Sequence, residues 1–88
     1  MDDNQRSEII RIGNLAKEVI ENEAFQVAVN ASMNDVFARF LASEPAEDDV
    51  RFKIWATGQA LDAIKSRLEF LVQNGKLELE NRKMDDDR

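Results

Sequence analysis

IWATGQALDAIKSRLEFLVQNG, residues 54–75, carries apolar side chains at helical spacing and contains no proline. Extended back to Pro45, the chain's only proline, and forward to Asn74-Gly75, it predicts one helix over residues 45–74. Proline suits a first helical turn, and Asn-Gly tolerates the left-handed conformation that commonly ends a helix. A helix of that length measures about 45 Å, whereas a compact chain of this size is about 30 Å across. An elongated molecule is therefore expected. Within the stretch, Val50, Ile54, Thr57, Leu61, Ile64, Leu68 and Leu71 are spaced 4, 3, 4, 3, 4 and 3, an unbroken heptad seam. Ala56, Ala60 and Ala63 widen it to roughly 180° of a helical wheel. So broad a seam suits a helix-bundle core better than a two-stranded coiled coil alone. The expected fold class is all-α, an elongated helical hairpin or a three-helix bundle with one long C-terminal helix.

Phe52 and Trp55 do not belong to that seam. At about 100° per residue both lie well over 100° from it, on the opposite side of the helix. Gly58 is one turn from Trp55 and leaves a shallow notch beside the indole. Either another part of the chain covers these aromatics, making them satellite core, or they stay exposed until a partner arrives, as Trp and Phe often anchor interfaces. Phe52, Trp55 and Gly58 are the candidate interface.

Two shorter helices precede the long one. Ile9, Ile12, Ala16 and Val19 are spaced 3, 4 and 3, with Asp2, Asp3 and Asn4 as acids and a possible cap at the start. Gly13 inside this helix costs about 1 kcal/mol relative to alanine, so the helix is expected to rely on packing. Asn22 can end it and cap the next, so a break or sharp kink is expected there, with one continuous helix as the rival reading. The second helix carries Phe25, Val29, Met33, Val36 and Phe40, with Phe37 and Leu41 alongside. LASEPAEDD then offers Ser43 or Glu44 as a cap for the long helix. Beyond Gly75, Leu77 and Leu79 alternate with charges, and residues 76–88 are expected to form a charged, loosely ordered tail on a single helical domain of residues 1–75.

Composition narrows the function. The chain has no cysteine and no histidine, which removes thiolate nucleophiles, disulfides, the usual zinc sites and the commonest general base. No catalytic, metal-binding or cofactor-binding residue is expected, and no enzyme activity. A net charge of −6, with twelve scattered basic residues, points away from direct nucleic-acid binding, which depends on Lys and Arg. No apolar run approaches the ~18–20 residues that span a bilayer. The N-terminus opens with acids and lacks the apolar core of a signal peptide, so a soluble intracellular protein is expected. The acids Glu44, Glu47, Asp48, Asp49, Asp85, Asp86 and Asp87 form the alternative candidate site, a phosphate-mimicking patch that would occupy the basic groove of a host nucleic-acid enzyme. Those near Pro45 have a simpler role, since acids stabilise a helix start, and the ligand pattern of an EF-hand is absent.

ENEAFQVAV, EPAEDDVRF and ALDAIKSRLEFLVQNGK together cover much of residues 21–76. An Asn-Glu-Ala-Phe helix start, an acidic turn and a long helix closing on Asn-Gly-Lys resemble the small, uncharacterised helical proteins of tailed bacteriophages and prophages. That resemblance implies a role in virion structure or assembly, in the cytoplasm of a bacterial host or associated with the virion. It transfers no catalytic or binding residue. The expected partner is a second copy of the chain or another phage or host protein.

Overall fold

A computed structural model of the chain describes residues 2–86. It contains three helices, α1 (Asp3–Glu21), α2 (Glu23–Ala42) and α3 (Asp48–Asp86). Asp2 caps α1: its carboxylate accepts from the Gln5 backbone N–H at 2.7 Å while the Gln5 side chain accepts from the Asp2 N–H at 3.3 Å, a reciprocal capping box. The break at Asn22 is real and has a local cause. Asn22 takes an extended conformation, its backbone N–H bonds back to Val19, and its Oδ1 accepts from the Phe25 N–H at 2.9 Å. It thus closes one helix and caps the next, without the left-handed geometry that asparagine also tolerates.

The start of α3 lies later than Pro45. The Glu47 N–H bonds to the Glu44 carbonyl at 2.9 Å, which places Pro45 and Ala46 in the middle of a turn, where proline's fixed φ is equally suited. Glu47 immediately precedes α3, its carbonyl accepting from the Arg51 N–H while its carboxylate accepts from the Glu44 N–H.

The end of α3 differs more. The stop expected at Asn74-Gly75 does not occur, and the helix continues through residues 76–86, so the expected tail is helical as far as Asp86. Gly75 has ordinary helical dihedrals rather than a positive φ. It is buried against Gly13 of α1, where a Cβ on Gly75 would come within 3.0 Å of the Gly13 Cα. Here glycine allows two backbones to touch, rather than ending a helix.

At ~1.5 Å per residue, α1 and α2 laid end to end match α3 at about 58 Å, and the molecule measures 63 × 26 × 16 Å. α1 runs antiparallel to the second half of α3, from Arg6 beside Glu78 to Gly13 beside Gly75. α2 runs antiparallel to the first half, from Val36 beside Gly58 to Phe40 beside Arg51. The molecule is therefore a hairpin with one broken arm, and at almost every level α3 has a single helical neighbour. The radius of gyration, 18.6 Å, far exceeds the roughly 12 Å of a compact chain this long.

This architecture explains how little is buried. Ala16, at 4% exposure, is the one buried hydrophobic side chain among the described residues, and no large side chain is fully enclosed. The α2 contact line on α3 runs through Ile54, Gly58 and Leu61, the α1 line through Leu71, Gly75 and Glu78. At about 100° per residue, Leu71 and Glu78 lie roughly 100–120° round the helix from Ile54. The heptad seam is consequently only partly covered. Ile54, Leu61, Leu68 and Leu71 are half-buried, while Val50, Thr57 and Ile64 stay exposed. Thr57 bonds back to the Lys53 carbonyl at 2.9 Å, satisfying its hydroxyl within its own helix.

Candidate functional site

Phe52 and Trp55 are both exposed, at 64% and 55%. Neither α1, α2 nor the C-terminal part of α3 covers them. Their rings lie against each other at a tilt, with centroids 5.9 Å apart. Gly58 does open a notch, and α2 fills it: a Cβ at Gly58 would lie 3.2 Å from Val36 Cγ1. The missing side chain thus sets how closely α2 approaches α3.

Trp55 and Gly58 stand on one wall of an open groove of about 460 Å³ between α2 and α3, and Met33, Val36, Phe37 and Phe40 form the opposite wall. Asp62 is the one charged residue among those lining it. In a chain that is 34% charged, a surface groove with so few charges stands apart. Phe37, like Phe52, is 64% exposed. The groove exists because both helices carry apolar residues beyond their shared contact line. On α2 that line is Phe25, Val29, Val36 and Phe40, and Phe37 lies about 100° off it, with its side chain projecting over the flank. On α3 Trp55 is displaced to the same flank.

Beside Phe40, in the first turn of α3, stands Arg51. Its guanidinium carbon lies 4.7 Å from the Phe40 ring centroid, and its Nε donates to Ser43 Oγ at 2.9 Å while a terminal nitrogen donates to the Ser43 carbonyl at 3.3 Å. Planar stacking combined with forked donation is a geometry that arginine supplies and lysine does not. Arg51 thereby fixes the last turn of α2 on the first turn of α3.

The acidic residues are not gathered into one patch. Glu44, Glu47, Asp48 and Asp49 surround the α2–α3 turn, and Asp85 and Asp86 lie at the far end of α3. Some 37 helical residues separate Asp48 from Asp85, which is about 55 Å. Glu47 engages the Glu44 N–H at 2.9 Å, and Asp85 forms a 2.7 Å ion pair with Arg6. Asp87 lies outside the described residues. No cluster of residues suited to hold a metal ion occurs among the described residues, and no helix there is long and apolar enough to cross a membrane.

Sequence reasoning missed the α2 half of the groove. The signal was present in Phe37, which sits off the Phe25–Phe40 line just as Trp55 sits off the α3 seam. The Arg6–Glu78–Asp85 cluster carried no local signal, since its members are 72 and 79 residues apart. Compared with protein-family profiles, curated proteins and solved structures, the chain matches none.

Proposed function

We propose that the chain is a non-enzymatic, phage-type protein that acts by helix-mediated protein contact in virion structure or assembly, with the α2–α3 groove as its contact surface. The observation that carries this is the groove itself: Met33, Phe37, Phe40 and Trp55 exposed side by side in a molecule with almost no enclosed core. Contiguous exposed apolar surface on an otherwise charged protein marks interaction sites, and aromatic residues are enriched among interface anchors. The phage setting rests on the resemblance of the helix-start, acidic-turn and long-helix pattern, and with it the proposed location in the bacterial cytoplasm or on the virion. The absence of histidine and cysteine supports contact over catalysis. Phosphate mimicry is less well supported, because the acids divide between the two ends of the molecule.

Photo-crosslinking in a bacterial cell tests the contact. A photoreactive phenylalanine analogue at position 37 should give a discrete protein adduct, and the same group at the exposed Glu18 of α1 should not. Failure to form any adduct at position 37 would remove the groove as a contact surface.

A further inference from the structure

We infer that the occupant of the groove is a second copy of this chain, docked groove to groove so that two α2 helices and the first halves of two α3 helices form a four-helix bundle. This rests on the contact function proposed above and names its partner.

Surface area is the first argument. The chain exposes 6907 Å², whereas a compact monomer of 10.1 kDa is expected to expose about 5,300 Å². The surplus of roughly 1,600 Å² per chain is about twice the ~800 Å² that each partner contributes to a standard interface, and lies in the range of obligate homodimers. The surplus is also not spare. A chain in which Ala16 is the one buried hydrophobic side chain among the described residues lacks the core that a domain of this size needs. A partner that supplies missing core must be present whenever the chain is made, and another copy of the chain always is.

The second argument is the shape and charge of the patch. A two-fold interface uses one surface twice, so that surface must offer both projections and recesses. Phe37 and Trp55 stand exposed on opposite walls, and between them lies the open groove where Gly58 lets Val36 of α2 approach α3. Each aromatic of one copy can thus enter the groove of the other. With Asp62 as the lone charged lining residue, docking brings few charges out of water, which is the usual obstacle to burying a surface. Around the two-fold axis the four helical segments would pack as in other bundles, with the apolar flanks turned inward.

Sedimentation velocity and light scattering of the purified full chain, from sub-micromolar to hundreds of micromolar, test this. The expected mass is twice the chain mass of 10.1 kDa over most of that range. Phe37→Glu and Trp55→Glu each place a charge in the groove at an exposed position, and each should shift the dimer–monomer midpoint at least tenfold higher in concentration. Ile64→Glu, at an equally exposed site on the uncovered seam, should leave the midpoint unchanged. A monomer throughout the range overturns the inference, as does dissociation by Ile64→Glu with Phe37→Glu still dimeric. If the groove variants lose helix as judged by circular dichroism, a disulfide-free crosslink settles the matter: the photoreactive group at position 37 of the purified chain must yield a covalent dimer, and its failure to do so overturns self-docking. A purified monomer whose position 37 still forms an adduct with a different protein in cells refutes the second copy and leaves the contact function standing; no adduct in either setting refutes both.

Discussion

Gly13 and Gly75 meet where α1 crosses α3, so closely that a Cβ on Gly13 would sit 2.9 Å from the Gly75 Cα and 2.8 Å from the Leu71 carbonyl oxygen. Both neighbours are backbone atoms, which cannot rotate away. Gly13→Ala must therefore push the helices apart, despite the ~1 kcal/mol that alanine contributes to helix propensity. Overpacking of this kind costs about 1–3 kcal/mol, and each kcal/mol lowers Tm by about 4–8 °C in a domain this small. Gly58→Ala gives the contrast. Its Cβ would meet only Val36 Cγ1, at 3.2 Å, one side-chain atom that has to give by a few tenths of an ångström, where Gly13 meets backbone. Thermal denaturation should show a lower Tm for Gly13→Ala and an equal or higher one for Gly58→Ala. A Tm raised by Gly13→Ala would refute the close crossing.

Gly75 also shows why some of the fold was legible in the sequence and some was not. Capping is local, so the break at Asn22 could be anticipated from Asn22 and its immediate neighbours. Helical spacing is likewise local, and it located all three helices. Asn74-Gly75 has two physical uses, ending a helix or admitting another backbone, and the choice is made by Gly13, 62 positions earlier. The same holds for the aromatics. The wheel placed Phe52 and Trp55 off the seam, but whether they are covered depends on where α1 and α2 dock, and the Gly58–Val36 contact helps to set that. The turn at Pro45 shows a smaller ambiguity, since proline serves the second position of a turn as readily as the first turn of a helix.

Asn22 performs two tasks, and substitutions separate them. Asn22→Ala removes the acceptor that the Phe25 N–H uses at 2.9 Å, a loss worth about 1 kcal/mol at an N-cap. Asn22→Asp and Asn22→Ser keep an oxygen in the same place. Chemical denaturation should therefore find Asn22→Ala destabilised by about 0.5–2 kcal/mol, with the other two near the parent. Equal loss in all three would show that the break is held by tertiary packing instead of by the cap.

Arg6 ties the open ends of the hairpin together through Asp85 at 2.7 Å and Glu78 at 3.2 Å. Glu78, at 8% exposure, is the one buried charged residue among those described, so removing Arg6 strips the only cation seen beside a buried carboxylate. Hydrogen exchange of Arg6→Ala should show faster exchange near both ends of this pairing, residues 3–10 and 76–86, with α2 unchanged. The hydrogen bond to Asp85 is the main influence raising the Arg6 pKa above its usual value. Its contribution is therefore complete throughout the ordinary pH range. Glu8 titrates differently: the Arg11 hydrogen bond lowers its pKa from 4.5. A depressed folded pKa stabilises above the unfolded value and is lost as pH falls through the folded one. Stability should therefore decline as pH drops below about 4.5, and Glu8→Gln should make that decline shallower. An identical acid profile in Glu8→Gln would show that the exposed pair contributes nothing.

Trp55 reports on the groove without any label, because it is the only tryptophan in the chain. In a single copy Trp55 is 55% exposed, its ring centroid 5.9 Å from that of Phe52, so its emission should be that of a largely hydrated indole. Groove-to-groove docking moves the ring into an apolar setting beside Phe37 of the other copy. The emission maximum should shift to shorter wavelength as concentration rises, and acrylamide should quench it less. Phe37→Glu should move that shift at least tenfold higher in concentration, since Phe37 and Trp55 line the groove from opposite helices. An emission maximum that stays fixed while the mass doubles would place the interface on another face, with the uncovered seam of Val50 and Ile64 the next to test.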